Sequence, residues 1–241
     1  MTAVRAAALA FPHGFFTRAA GDCGLGSGQD PALSAANRRR AADAILPGAP
    51  LATPYQIHSA TAVIVSGAMP DAERPRADAI VTATPGLIIG IVTADCAPVL
   101  LADVEAGVVA AAHAGWRGAV AGVTDQAIAA MLSLGARVER IAAAIGPCIA
   151  RASYEVDHAF AERLLGEDEG NERFLVEGTR ERPHFDLEAY VAARLAAAGV
   201  RRIEALGIDT YPPDNGYFSY RRATHRGEAT YGRQLSLIAL P

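Results

Sequence analysis

The stretch L-I-I-G-I-V-T-A-D-C-A-P-V-L-L-A-D-V-E-A-G-V-V-A-A-A-H-A-G-W-R-G, residues 87–118, decides the fold. It holds three short apolar runs, at Leu87–Thr93, 99–102 and 107–112, separated by turns rich in Asp, Pro and Gly. Such runs bounded by such punctuation predict β-strands. The first and third are apolar throughout instead of alternating, as strands covered on both faces must be. After G-W-R-G the spacing predicts a helix over 119–134, stopped by Gly135.

Working outward, further strands are predicted at 62–66, Ala79–Thr82, 141–145, 203–208 and Gln234–Leu240. Helices are predicted from Asp30-Pro31 to about Leu46, at 157–165 and at 186–198. The opening H-G-F-F-T-R, 13–18, reads as a strand ending in a charged residue. Residues 21–28 read as a glycine-rich, mobile loop near a site entrance, and 166–170 as a charged surface turn. Helices and strands intermix without a strict βαβ repeat. That pattern predicts a single domain over 1–241, an α/β (α+β) sandwich with a mixed β-sheet core and outer helical layers.

The 241 residues suffice for one substantial core. The hydrophobic share is 51%, and much of it is alanine, which predicts close packing of small side chains. A formal charge of −4 offers no electrostatic footprint for nucleic acid. No apolar run is long enough to span a bilayer and no export signal is apparent, so a soluble, cytoplasmic protein with no membrane partner is expected. The three cysteines, Cys23, Cys96 and Cys148, cannot all pair within the chain, which argues against a disulfide framework.

Cys96, in T-A-D-C-A-P, sits in a tight polar turn at the end of an apolar run. His113, in H-A-G-W-R-G, also ends an apolar run, and His58, in Y-Q-I-H-S-A, comes earlier in the same half of the chain. Two imidazoles and a thiolate are good zinc ligands and leave a fourth position for water or substrate. Copper is a possible substitute at such donors. The intervals between positions 58, 96 and 113 far exceed those of a zinc knuckle, and suit an open centre assembled from the ends of different strands. Two other readings use the same residue types. One is a hydrogen-bonded core histidine beside an inert cysteine. The other is a metal-free hydrolase with Cys96 as nucleophile and His113 as base. Asp95 is placed to orient a ligand or to bond a substrate. Residues 21–28 contain neither G-x-x-x-x-G-K-[ST] nor a G-x-G-x-x-G between strand and helix, so they make a poor phosphate loop.

Together H-G-F-F-T-R, N-R, Q-I-H-S-A, A-D-A-I-V-T, T-A-D-C-A-P-V-L-L-A-D, A-A-H-A-G-W-R-G, I-G-P-C-I, Y-E-V, F-S-Y-R-R and G-R-Q-L-S-L-I resemble the YfiH family. Its members carry names such as laccase-domain protein, polyphenol oxidase, purine nucleoside phosphorylase and peptidoglycan editing factor. The resemblance covers nearly the whole chain. It implies a one-domain α/β sandwich with zinc held by His58, Cys96 and His113. The implied partners are a purine nucleoside and phosphate. The implied activity is phosphorolysis of adenosine, inosine and S-methyl-5′-thioadenosine, releasing base and ribose 1-phosphate, with adenosine deamination by the same site.

Arg18, in F-T-R, matches a family active-site arginine and is the first candidate for phosphate, with Arg117, Arg221 and Arg222 behind it. Zinc deaminases of the cytidine type move the proton with a glutamate in H-x-E. This chain has no H-x-E, so Asp95 or Asp78 is the remaining candidate. His13 is a candidate support residue, and Cys148 is either a fourth site residue or a core or supporting thiol. The longer turn Y-R-R-A-T-H-R-G-E-A-T-Y-G-R-Q departs from the shorter family pattern and is expected to reshape the pocket rim. Three alternatives stand beside the phosphorylase: a copper polyphenol oxidase (laccase-like), a Cys/His hydrolase editing peptidoglycan precursors, and a nucleoside-binding module without turnover. The six histidines include no His-x-His, which weighs against a multicopper centre.

Overall fold

A computed structural model describes residues 3–26, 28, 30–178 and 182–241. The chain begins with β1 (Ala3–Val4), β2 (His13–Phe16), α1 (Pro31–Asp43), β3 (Leu51–Ala52), β4 (Ala62–Ile64), β5 (Ala79–Thr82) and β6 (Leu87–Thr93). Next come β7 (Ala97–Asp103), β8 (Val108–Ala114), α2 (Trp116–Ala121), α3 (Val123–Ser133), β9 (Ala142–Ile145) and α4 (His158–Glu167). It closes with β10 (Leu175–Glu177), β11 (Pro183–Phe185), α5 (Leu187–Ala197), β12 (Arg202–Ala205), α6 (Tyr220–His225) and β13 (Gln234–Leu240).

The mixed α/β sandwich is present, with its strands divided between sheets. One has five strands in the order β1-β2-β13-β6-β3, and the other six in the order β12-β9-β7-β8-β5-β4. β10 and β11 form a separate pair. Side chains that alternate along each strand enter different layers. Ile80, Leu100 and Val109 face Leu87, Ile89, Ile91 and Ile238 of the five-stranded sheet. Their neighbours Val81, Leu101 and Ala110 face Met131 of α3, Leu164 of α4 and Val191 of α5. On the far side, Ile88 and Leu237 pack against Ala41 and Ala42 of α1. The layers are therefore helix, sheet, sheet, helix. Each Ile or Leu buried between the sheets contributes about 1.5–3 kcal/mol, so the paired sheets form a rigid platform for the turns at their ends.

Several elements differ from the sequence reading. The helix expected over 119–134 begins at Trp116 and is divided at Gly122, whose φ of 92° is left-handed. Residues 166–170 are not a turn: α4 runs through Glu167, and a 3-10 helix spans Glu169–Phe174. In the glycine-rich segment, Asp22, Cys23 and Gly24 are buried and held by bonds from Asn37 and Ser34. Leu25 and Gly26 do line a cavity, one that His58, Cys96 and His113 also line; Ser27 lies outside the described residues. The short strands β1, β3, β10 and β11, and helix α6, carry too few apolar residues to register in the sequence pattern. Among the described residues, no helix is long and apolar enough to cross a membrane.

Candidate metal centre

Residues 94–96 carry the chain from β6 in the five-stranded sheet to β7 in the six-stranded one. Cys96 therefore lies on the turn that joins the two sheets. In the antiparallel β7–β8 pair, Ala97 opposes Ala114 and Pro98 opposes His113, which brings the last turn of β8 beside Cys96. β5 pairs with the other edge of β8, Ala79 opposite Ala112, and so sets Asp78 next to His113. The His113 amide donates to the Asp78 carbonyl at 2.7 Å. Asp78 in turn gathers the loop that carries His58. Its carboxylate accepts from the backbone N–H groups of Ile57, His58 and Ser59, and from the Ser59 hydroxyl. Sheet register and one carboxylate thus bring three distant residues together.

The ligand atoms of His58, Cys96 and His113 all lie within 4.8 Å of one another. The two imidazoles meet edge to face, with ring centres 4.9 Å apart. His113 is buried, Cys96 is partly buried and His58 is exposed, so the cluster opens to solvent on one side. His113 Nδ1 donates to Asp78 Oδ1 at 2.8 Å, leaving Nε2 for a ligand role. Both His58 and Asp95 have positive φ, 60° and 81°, a costly backbone state for residues other than glycine. Gly115 supplies room: a Cβ there would stand 2.8 Å from Cys96 Sγ and 3.2 Å from the His58 ring.

The charges are mutually supporting. Burial pushes the Cys96 thiol up, but the His113 charge and hydrogen bonds from His113 and His58 bring it down to about 6. Burial lowers His113, and the charges of Cys96 and Asp78 with their hydrogen bonds lift it to about 9. Burial raises Asp78 as well, yet bonds from His113 and Ser59 bring it down to about 2. A low-lying thiolate beside a carboxylate-backed imidazole is a donor set that attracts a divalent metal.

Two cavities border the cluster. The first, about 280 Å³, is lined by Arg38, Arg74, Arg233, Tyr55, Gln56 and Tyr231 together with His58, Cys96 and His113. The second, about 210 Å³, brings Trp116, Arg117, Tyr154, Tyr220 and Arg221 to His58 and Cys96. Arg18 lines neither. It is exposed, in a shallow depression with Thr17, Ala19, Gly216 and Phe218. Arg222 is committed to the carbonyls of Thr210, Tyr211 and Tyr217. Arg117 stacks on Trp116, and Arg221 bonds the Glu155 carbonyl while lying over Tyr154.

Asp95 has both oxygens occupied, by Thr210 Oγ1, Ser219 Oγ and the Arg221 N–H. It ties the ligand turn to the start of α6, and burial raises its pKa against those bonds. His13 is bonded to Phe11 and Ala6, far down β2, and Cys148 is a core thiol.

A family model described as multi-copper polyphenol oxidoreductase laccase matches residues 13–241. The chain belongs to this family. A relative from Deinococcus radiodurans, named purine nucleoside phosphorylase, is 39% identical over 250 residues, covering 99% of this chain and 92% of its own. A crystal structure of a Neisseria meningitidis protein, NMB0706, superposes with a TM-score of 0.84 at 31% identity, covering 100% and 98% of the two chains. The Bacillus licheniformis protein YfiH does so at 0.83 and 25% identity, covering 95% and 92%. The YfiH resemblance and the laccase-named family are thus one and the same.

Within this laccase-named family fold, sequence reasoning passed over Arg74 entirely, and Tyr55 and Tyr231 stood in quoted motifs without a role. Arg38 and Arg233 stood in the quoted N-R and G-R-Q motifs without a role. Only the three-dimensional cavity reveals their convergence.

Proposed function

We propose that this protein is a zinc-dependent purine nucleoside phosphorylase working as one domain over residues 1–241. The observation that supports it most is an open His58–Cys96–His113 cluster between two cavities, in a chain whose relative is named purine nucleoside phosphorylase. Adenosine, inosine and S-methyl-5′-thioadenosine are the substrates, cleaved with phosphate to base and the corresponding ribose 1-phosphate. Adenosine deamination is a side activity.

The donor chemistry fits zinc. Two imidazoles and a thiolate make a catalytic set of three protein ligands, and Asp78 fixes the tautomer and orientation of His113. Copper binds similar donors, but a multicopper oxidase needs several such clusters, and among the described residues this is the one group of three or more. Bound zinc supplies Lewis acidity, which lowers the pKa of water to ~7 in sites of this kind. The chain's own residues do the rest. Trp116, Tyr154 and Tyr220 offer flat apolar walls for a purine. Asp95 and Asp78, with every oxygen engaged, act by holding the ligand turn and the His58 loop in place.

Metal analysis together with base release from inosine, with and without phosphate, tests the reading. About one zinc per chain and phosphate-dependent hypoxanthine release are expected. Release that ignores phosphate, or full turnover in a Cys96→Ala protein, would overturn it.

A further inference from the structure

The first cavity beside the metal cluster is rich in positive charge. Its described lining carries three guanidinium groups, Arg38, Arg74 and Arg233, and no carboxylate. Arg38 is 8% exposed, and its guanidinium donates only to neutral oxygens, the Cys23 carbonyl and the Thr53 hydroxyl. Arg233 donates to the Tyr231 hydroxyl at 3.1 Å and lies 4.7 Å from that ring's centre. Arg74 has an acidic neighbour, Asp71 at 3.6 Å, whose side chain is 67% exposed, and it donates to the Asp71 and Pro54 carbonyls. Burial lowers the pKa of Arg38 and the nearby charge of Arg74 lowers it further, against opposing effects of Asp71 and Cys23.

A second observation points the same way. Thr93 lines this cavity and is 1% exposed, yet its hydroxyl has no hydrogen-bond partner. Buried polar groups are almost always bonded, and buried cations are paired. Three guanidinium groups around a cavity without a carboxylate match a tetrahedral oxyanion, which accepts several donors at once. His58, Cys96 and His113 line the same cavity, so the anion would sit beside the reacting centre.

We propose that Arg38, Arg74 and Arg233, with the Thr93 hydroxyl, form the site for inorganic phosphate in this cavity. The identity of the anion rests on the phosphorylase reading; the site itself rests on the charge imbalance and the orphaned hydroxyl. Arg18, the candidate offered by motif resemblance, lines a separate depression and has no part in it.

Arg38 also supports the Cys23 and Thr53 segments, so its removal risks the fold. The test therefore uses Arg74→Gln and Arg233→Gln in the zinc-loaded protein, with Arg18→Gln alongside. Inorganic phosphate is titrated calorimetrically without nucleoside, and adenosine 5′-monophosphate is titrated separately. Metal content and melting temperature verify the fold. The expected result is phosphate binding by the parent protein, weakened at least tenfold in both variants and unchanged in Arg18→Gln. The phosphate KM should rise in parallel while kcat moves less. Unchanged affinity in both variants, loss only in Arg18→Gln, or binding of the nucleotide but not of inorganic phosphate overturns the site. Phosphate bound here without any base release would support the site while overturning the phosphorylase reading. Phosphorolysis with an unmoved phosphate KM would do the reverse.

Discussion

A single methyl group at Gly115 should separate metal binding from folding. Gly115 stands at the N-cap of α2 with φ −68° and ψ 159°, angles that alanine adopts freely. The added Cβ would stand 2.8 Å from Cys96 Sγ. Ordinary non-bonded contacts begin near ~3.5 Å, so the sulfur must retreat by about 0.7 Å. Metal–ligand distances hold within about ±0.2 Å, and the required shift is several times that. Turning Cys96 away is easy for the fold, because the obstructing atom ends a side chain. It removes one of three ligands. Losing even a supporting partner costs roughly 10–100-fold in affinity, so Gly115→Ala should weaken zinc by at least ~100-fold, about 2.7 kcal/mol. The metal-free variant should lose less than about 1 kcal/mol of stability. Competition against a chromophoric chelator reads the affinity, and denaturant unfolding of the metal-free protein reads the fold. Wild-type zinc affinity in Gly115→Ala would refute the placement of the ligands.

Asp78→Asn should lower zinc affinity roughly 10–100-fold, because an amide cannot accept from His113 and the 57–59 loop together; zinc competition and melting would show it. Asp103 accepts from the N–H groups of Glu105, Ala106 and Arg137, so Asp103→Ala should cost roughly 3 kcal/mol in denaturant unfolding, about 1 for each bond. Burial raises the Asp103 carboxyl, but the bonds from Arg137, Ala106 and Arg140 outweigh it and hold it below the ordinary range. A folded-state pKa below the unfolded ~3.9 stabilises fully above that pH and is lost as pH falls through the folded value. Acid titration of stability should therefore show a smaller drop below pH ~4 in Asp103→Ala than in the parent protein. Chelation should abolish base release and added zinc should restore it, whereas activity that survives chelation but is lost on thiol alkylation would make Cys96 a nucleophile.

What the sequence revealed follows from burial. β5, β6 and β13 were legible to the residue because each is a buried, largely apolar run set off by flanking polar, Gly or Pro residues. The same feature concealed how the strands divide into two sheets, since periodicity assigns faces and not partners. The break at Gly122 lay within a continuous apolar pattern, and α6 is short and polar, so neither gave a signal. At the site, His58, Cys96 and His113 were legible as motifs, and the structure brings them together. Asp95 or Asp78 was offered as a proton carrier because an acid near a ligand suggests chemistry, and Asp95 also as a residue that orients a ligand or bonds a substrate. Their hydrogen bonds show that each is saturated by donors. Arg74 was invisible because nothing in its neighbourhood of sequence marks it, and its meaning depends on Arg38 and Arg233 arriving from opposite ends of the chain.

The most direct test is product analysis with inosine, using protein stripped of metal and reloaded with measured zinc. The account predicts hypoxanthine and ribose 1-phosphate in equal amounts, formed only when zinc and phosphate are both present and absent in Cys96→Ala. Free ribose in place of ribose 1-phosphate, or equal turnover by the stripped protein, would contradict it.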